Sequence, residues 1–469
     1  MPDVLVISDD VAGEKMAGPG IRAWELSRRL AEYFRTALAI PDYSPGLPSE
    51  QGGKKMPFDL ARYAVSRPAP LRQAAEDSRV VVVQGYVLSK FPFLKNIAAH
   101  LVCDLYVPFP LENLFVHRRM TPAFGDRVSI HLHDLAVFNE QLVHGDHFLC
   151  ANERQKDFII GALLALDRVD PGAVDASPSL DGLVSVVPFG FNDDEEVYSG
   201  DMVLREVVPG IGKEDAVFLW GGVLSNWFDP LTLIRAVGRA AAIDPRIKLF
   251  FLSTGHPNPL LPSFDMAAEA SRLSDSLGLT GEHVFFNRGW VAYARRGAYF
   301  READAGVYAH GDHIETRFAF RTRVLDYLKH GLPILCTEGD SFADLVQNRK
   351  MGLVVPCGDT EAMAQAILTL AGDAMFREEC RKNIAQVRPL FTWDKTAAPL
   401  VAYCRDVLDG RISKGRKPDR SDLAAVTGIR KKGVIEKVAR RRLWFLARKL
   451  PPGLVARIRR VLKALGWQP

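Results

Sequence analysis

HGDHIETRFAFRTRVLDYLKHGLPIL, residues His310 to Leu335, divides into a polar loop, a short helix and the start of a buried strand. A strand, GVYA (Gly306 to Ala309), leads into it. From Phe320 onward Val324, Leu325 and Leu328 fall on one helical face. Gly331 stands where a helix end takes a positive φ, and Pro333 bars any continuation. Glu315, Arg317, Arg321 and Arg323 crowd the loop and first turns, and Asp326 lies outside the apolar arc. On pattern alone this is either a surface helix with a solvated charged face or a helix presenting charge to a ligand.

A loop, a helix carrying a carboxylate five residues before a glycine, and the run G-x-P-[IV] together resemble the donor site of family-4 retaining glycosyltransferases of GT-B fold. The resemblance implies that Asp326 contacts a nucleotide ribose. The family's second glutamate falls eight positions earlier, where this chain has Phe318; Glu315 lies three residues further upstream. The ETRFAFRTRVLDYL variant looks like a bacterial subgroup of that family.

Length and composition fit this expectation. A chain of 469 residues, 48% hydrophobic and 25% charged, suits a soluble protein of two to three domains. Cys103, Cys150, Cys336, Cys357, Cys380 and Cys404 are widely spaced, with no CxxC pair, and read as free thiols in a reducing compartment. The first residues already read as a strand rather than a signal peptide, and no apolar run approaches the roughly 20 residues that span a bilayer. The expected location is the cytoplasm, with attachment to the inner face of the plasma membrane left open. The formal charge of +4 hides an asymmetry, because residues 411–469 carry a net +15 and the remainder −11.

DVLVIS (Asp3 to Ser8) reads as a buried parallel strand, followed by a loop with Gly18-Pro19-Gly20 and a helix from about Ile21 to Phe34. Glycines at a first strand-to-helix turn let a ligand approach the backbone. VVVQG (Val81 to Gly85) and HLVCDLY (His100 to Tyr106) are further strand ends, and ligands bind beyond such ends in open α/β sheets. Gln84, Gly85, Asp104 and Tyr106 are therefore cleft candidates, although Asp104 is equally readable as a helix-capping loop residue. The family often has a histidine near Asp104. DHFLCANERQKDFIIGAL (Asp146 to Leu163) reads as strand, turn and helix. LVSVVPFGFND (Leu183 to Asp193) matches the family's linker strand, with Pro188 and Gly190 at the hinge.

A second α/β unit begins at AVFLWGG (Ala216 to Gly222) and enters a helix at Pro230, with Asp229 as its cap. That helix start and its glycines read either as an anion cradle or as an ordinary turn. The family's Arg and Lys in this loop are replaced by Ser225, Asn226 and Trp227, which passes the cationic role to Arg317, Arg321 or Arg323. KLFFLSTGHPNP (Lys248 to Pro259), HVFFNRGWV (His283 to Val291) and MGLVVPCGD (Met351 to Asp359) supply more strands. Trp290 either stacks on a base or sits in the core. FTWDKTAAPL (Phe391 to Leu400) resembles the helix that crosses back to the first domain.

No D-x-D triplet, P-loop, HExxH or G-x-S-x-G occurs, and His131-x-His133, read as part of a strand, has poor metal-ligand spacing. No metal and no cofactor are expected beyond a nucleoside diphosphate sugar as donor. The stretches KKGVIEKVARRRLWFLARKL and GLVARIRRVLKALGW combine basic clusters with apolar residues at helical spacing. They suit an anionic membrane surface, through residues 430–467, better than nucleic acid, with packing on the acidic body as the other option.

The expectation is an α/β protein of GT-B type, two Rossmann-like domains facing a cleft plus a basic helical tail. An acceptor domain spans 1–195, a donor domain 196–395, a returning helix 396–410 and the tail 411–469. The resemblance implies transfer of a sugar, with retention and without metal, to an envelope polysaccharide or glycolipid acceptor. Glu315, Arg321 and Asp104 are the catalytic candidates. Gly20, Gly222, Asn226, Trp290, Arg317, Arg323 and Asp326 are the donor-binding candidates. A catalytically silent protein of the same fold, binding sugar nucleotide or scaffolding a partner transferase, is the alternative.

Overall fold

The computed structural model describes residues 1–13, 16–44, 56–121, 123–192, 202–253, 265–291, 295–415 and 417. The first domain holds a parallel sheet in the order β3-β2-β1-β4-β5-β6-β7, built from β1 (Val4–Ile7), β2 (Thr36–Pro41), β3 (Asp59–Tyr63), β4 (Val80–Gln84), β5 (His100–Asp104), β6 (His147–Cys150) and β7 (Val184–Val186). Its inner strands β1, β2 and β4 are buried along their whole length because helices cover both faces, whereas the edge strand β3 is mostly exposed. Along β1, Val4 and Val6 enter one core while Leu5 and Ile7 enter another.

The second domain repeats the scheme in the order β10-β9-β8-β11-β12-β13, using β8 (Ala216–Trp220), β9 (Ile247–Phe251), β10 (Val284–Phe286), β11 (Ala305–Tyr308), β12 (Ile334–Thr337) and β13 (Gly352–Val355). In each sheet the order reverses beside the first strand, so a crevice opens there at the strands' carboxyl ends. The two crevices are β1/β4 and β8/β11.

Several helices differ from the sequence expectation. The first runs Gly18–Leu30, so Gly20 lies in its first turn, because Pro19 pre-sets a helical φ. Gly20 is required by contact: a Cβ there would meet the Val11 carbonyl at 2.0 Å. His131 and His133 sit in a helix, Phe124–His144, and not in a strand. After β11 a short helix, Ile314–Phe318, precedes the Arg323–Lys329 helix. Gly331 does take a positive φ, +66°.

The domains are tied by main-chain and side-chain contacts. Phe191 N donates to Phe391 O at 3.0 Å, and Trp393 N returns to Phe191 O at 3.1 Å. A Cβ on Gly190 would lie 2.8 Å from both Trp393 N and Thr396 Oγ1, so only glycine admits this crossing. The Ala398–Leu408 helix then returns to the first domain, where Arg79 donates to Leu408 O and Val407 O. Beyond it Lys414 and Lys417 approach the buried Asp146 carboxylate at 3.5 and 3.1 Å. Residues 416 and 418–429, and the whole 430–467 tail proposed to meet membrane, lie outside the described residues. Within the described residues no helix is long and apolar enough to cross a membrane.

Candidate active site

The β8/β11 crevice is built on Tyr327. Its buried hydroxyl receives the Gly221 N–H at 3.0 Å and lies 2.9 Å from Val307 O and 3.1 Å from Leu219 O. One side chain thereby fixes both strand ends and the glycine turn after β8. Sequence reading missed it, since a tyrosine on an apolar helical face signals only core.

Around that turn Arg323 Nη1, Asn226 Nδ2 and Trp220 Nε1 are buried donors that lack hydrogen-bond partners among the described residues. The Arg323 guanidinium stacks over Phe228 and Trp220 at 4.0 and 4.6 Å, and its Nη2 reaches Val223 O at 3.3 Å. Gly222 faces it, with a Cβ position 3.7 Å from Nη2 and a φ of +150°. No carboxylate pairs with Arg323 among the described residues, and burial pulls its pKa down to about 10. An unmet buried donor costs about 1–3 kcal/mol, so acceptor oxygens placed here would be held firmly.

The helix start does less than its glycines suggest. Asp229 fills the N-terminus of the Pro230–Ala241 helix, accepting from Thr232 N at 3.0 Å and Thr232 Oγ1 at 2.6 Å. The amide expected to meet an anion therefore already has an acceptor in Asp229, and the polar groups left facing the crevice are those of the Gly221–Gly222 turn and Arg323.

Glu315 and Arg321 are joined rather than open. Arg321 Nη1 and Nη2 donate to the two Glu315 oxygens at 2.9 and 2.8 Å, and both side chains are buried. Arg321 Nε faces Asp340 at 3.6 Å, and Asp340 in turn meets His310 Nε2 at 3.2 Å and caps the Ser341–Asn348 helix. Asp104 is likewise engaged, receiving Arg22 Nε and Nη2 at 2.6 and 2.8 Å while Arg22 also reaches Val187 O. It ends β5 and holds the first helix to the interdomain linker; it does not cap a helix. Proton chemistry at Glu315 or Asp104 would require those pairs to open.

The remaining candidates scatter. Asp326 pairs with Arg296 at 2.6 Å at the edge of the crevice. Arg317 is exposed, its guanidinium 5.9 Å from the Phe318 ring. Trp290 is half-buried beyond β10. Gly20 belongs to the other domain, beside the β1 loop.

Across the crevice stands the Phe109–Met120 helix of the first domain, which sequence reading did not identify. Its Phe115 stacks on His313 at 4.1 Å. One turn earlier, the half-buried Glu112 has its pKa pushed up to about 8, mainly by burial and then by the nearby Glu315 charge. No signal along the sequence marks Glu112, because its neighbour comes from the other domain. Gln155 and Asn152 add hydrogen bonds to Phe318 O and Ala319 O at 2.7 and 3.3 Å. Among the described residues no group of three His, Cys, Asp or Glu side chains is placed to hold a metal ion.

Two doubly wound parallel-sheet domains meeting at their crevices constitute the GT-B fold. Residues 215–373 match the family model described as "Glycosyl transferases group 1". Probable sucrose-phosphate synthase 1 of rice is 33% identical over 89 residues, 18% of this chain and 8% of that protein. The chain thus spans under a tenth of the length of the sucrose-phosphate synthases it matches. D-inositol 3-phosphate glycosyltransferase of Jonesia denitrificans is 22% identical over 287 residues, 60% of this chain and 62% of that protein. Among solved structures, Anabaena HepE in complex with UDP and glucose superposes with a TM-score of 0.61 at 13% identity, covering 87% of this chain and 100% of that one.

Proposed function

We propose that the protein is a glycosyltransferase that moves a sugar from a nucleoside diphosphate donor to a glycan or lipid-linked acceptor in envelope assembly, with retention and without metal. The observation that carries the reading is the presence of unmet donors, Arg323 Nη1 and Asn226 Nδ2 among them, beside the Gly221–Gly222 turn at the β8/β11 crevice. A diphosphate supplies the acceptor oxygens and the negative charge that this arrangement lacks. Support comes from the family match over 215–373 and from the UDP and glucose bound by the Anabaena relative.

In this reading Arg323 stabilises the charge that develops on the departing diphosphate. Its planar guanidinium offers parallel hydrogen bonds to phosphate oxygens, and burial between two aromatic rings fixes its aim. The Glu315–Arg321–Asp340–His310 network holds the loop that brings Arg323 into place. Closure of the Phe109–Met120 helix on the Ile314–Phe318 helix excludes water from the oxocarbenium-like centre. The tail at 430–467 would keep the enzyme at an anionic membrane surface on the cytoplasmic side.

Incubation with UDP-, GDP-, dTDP- and ADP-sugars in EDTA, without acceptor, tests the enzymatic part. Slow release of a nucleoside diphosphate from one donor is expected, and it falls on Arg323→Gln. Tight donor binding with no release above background would mark the protein as a catalytically silent binder instead.

A further inference from the structure

A second cavity, of about 260 Å³, opens between the Phe109–Met120 and Phe124–His144 helices of the first domain. Leu114, Phe124, Val128 and Ile130 are its apolar lining. Phe124 is 72% exposed, and Leu114, Val128 and the neighbouring Leu132 are exposed too. Phe124, Val128 and Leu132 are spaced four apart, so they form one stripe along the helix. Large apolar side chains gathered on one exposed face mark an interaction surface.

The cavity's polar groups narrow the occupant. Arg127 lies over the Phe124 ring at 5.4 Å, and its guanidinium forms no ion pair among the described residues. Its Nε and the Nδ1 of His131 are both shut off from solvent without a partner among them. Among the described lining residues the one carboxylate, Asp134, is already engaged: it accepts from the Tyr86 hydroxyl at 2.7 Å and from Asn113 Nδ2 at 2.8 Å. An open cation beside an apolar slot complements a molecule that is anionic at one end and apolar along the rest. Tyr86 lies two residues beyond β4 and its amide donates to Asp9, just after β1, at 2.9 Å, so this polar end touches the β1/β4 crevice. The same Phe109–Met120 helix carries Phe115 against the second domain. The cavity and the proposed donor site are thus two sides of one helix.

We propose that this cavity binds the chain of a membrane lipid bearing a phosphate headgroup, with Arg127 and His131 on the phosphate and Leu114, Phe124 and Val128 on the hydrocarbon. That this lipid is the acceptor rests on the glycosyltransferase reading; that it binds does not.

The test uses decyl phosphate below its micellar concentration with the full chain, followed by calorimetry. Saturable binding of one molecule is expected, with inorganic phosphate and decanol each far weaker. Arg127→Gln should weaken decyl phosphate about tenfold, as loss of a charge-assisted hydrogen bond does. Val128→Asp should abolish binding, while Leu164→Asp, an equally superficial change on the 153–165 helix, should leave it intact. All three variants should still be stabilised by nucleoside diphosphate, which separates this site from the donor site. Absence of binding overturns the proposal, as does binding that Arg127→Gln and Val128→Asp leave unchanged. A wild-type dimer that dissociates on Phe124→Ser would assign the face to a second copy and overturn it equally.

Discussion

Arg321 grips Glu315 through two parallel hydrogen bonds, 2.9 and 2.8 Å long, with both side chains sealed from water. Ala319 and Phe320, which follow the Ile314–Phe318 helix, bend the chain between them, so the pair closes the loop that follows β11. Removing one partner leaves the other as an uncompensated buried charge. Glu315→Gln or Arg321→Gln should therefore cost about 3–5 kcal/mol of stability. The double variant should cost less than the sum of the two. Urea unfolding of the four proteins measures this, and additive losses would show the pair to be uncoupled.

Arg323 should behave in the opposite way. It has no carboxylate partner among the described residues, and its buried Nη1 is unmet, so Arg323→Gln removes a cost as well as two ring contacts. Stability without ligand should change by no more than about 1 kcal/mol, because the lost ring contacts and the Val223 O hydrogen bond are offset by relief of the unmet buried donor. A drop as large as that of Arg321→Gln would make Arg323 a structural residue.

Glu112 gives the protein a pH dependence. Its pKa, about 8 when folded, lies above the ordinary 4.5. Between these values the folded chain holds a proton that the unfolded chain has lost. Stability thus falls as pH rises from 4.5 to 8 and levels beyond it. Glu112→Gln should remove this component, matching wild type near pH 4.5 and exceeding it at pH 8. Thermal unfolding across the range reads the difference, and parallel curves for the two proteins would contradict it.

Lys414 and Lys417 set where the tail can be cut. Among the described residues they are the cations within ion-pair distance of Asp146, whose side chain is otherwise buried beside Leu101 N. A chain ending at Asp409 should melt lower than one ending at residue 420, because it strands that carboxylate. Both truncations should lose sedimentation with phosphatidylglycerol vesicles if residues 430–467 are the membrane contact. Equal melting points would contradict the first statement, and undiminished sedimentation the second.

Much of the second domain was legible because its signals are local. Asp229-Pro230 opens a helix and Gly331-x-Pro333 closes one through neighbouring backbone alone. The Phe124–His144 helix was not, because VSIHLHDL alternates apolar and polar residues over a short window. Only the longer spacing, with Val137, Phe138, Gln141 and Leu142 buried together, gives the helical period. Strands β2, TALAIP, and β3, DLARY, escaped because the one carries small alanines and ends in proline and the other mixes charged with apolar residues. The site was legible as an inventory of charges but not as pairs. Arg22 meets Asp104 across 82 positions, and Arg321 spends itself on Glu315, so which arginine stays open follows only from the fold.

The central claim is that Arg323 and the Gly221–Gly222 turn hold a nucleoside diphosphate, and one thermal titration tests it. UDP, GDP, dTDP and ADP are each added in EDTA to wild type and to Arg323→Gln. At 100 times Kd a bound nucleotide stabilises by about 2.7 kcal/mol. One of the four should raise the melting temperature of wild type accordingly, and the same concentration should leave Arg323→Gln nearly unmoved. If no nucleotide shifts wild type, or if Arg323→Gln shifts equally, the donor site is not where this account puts it.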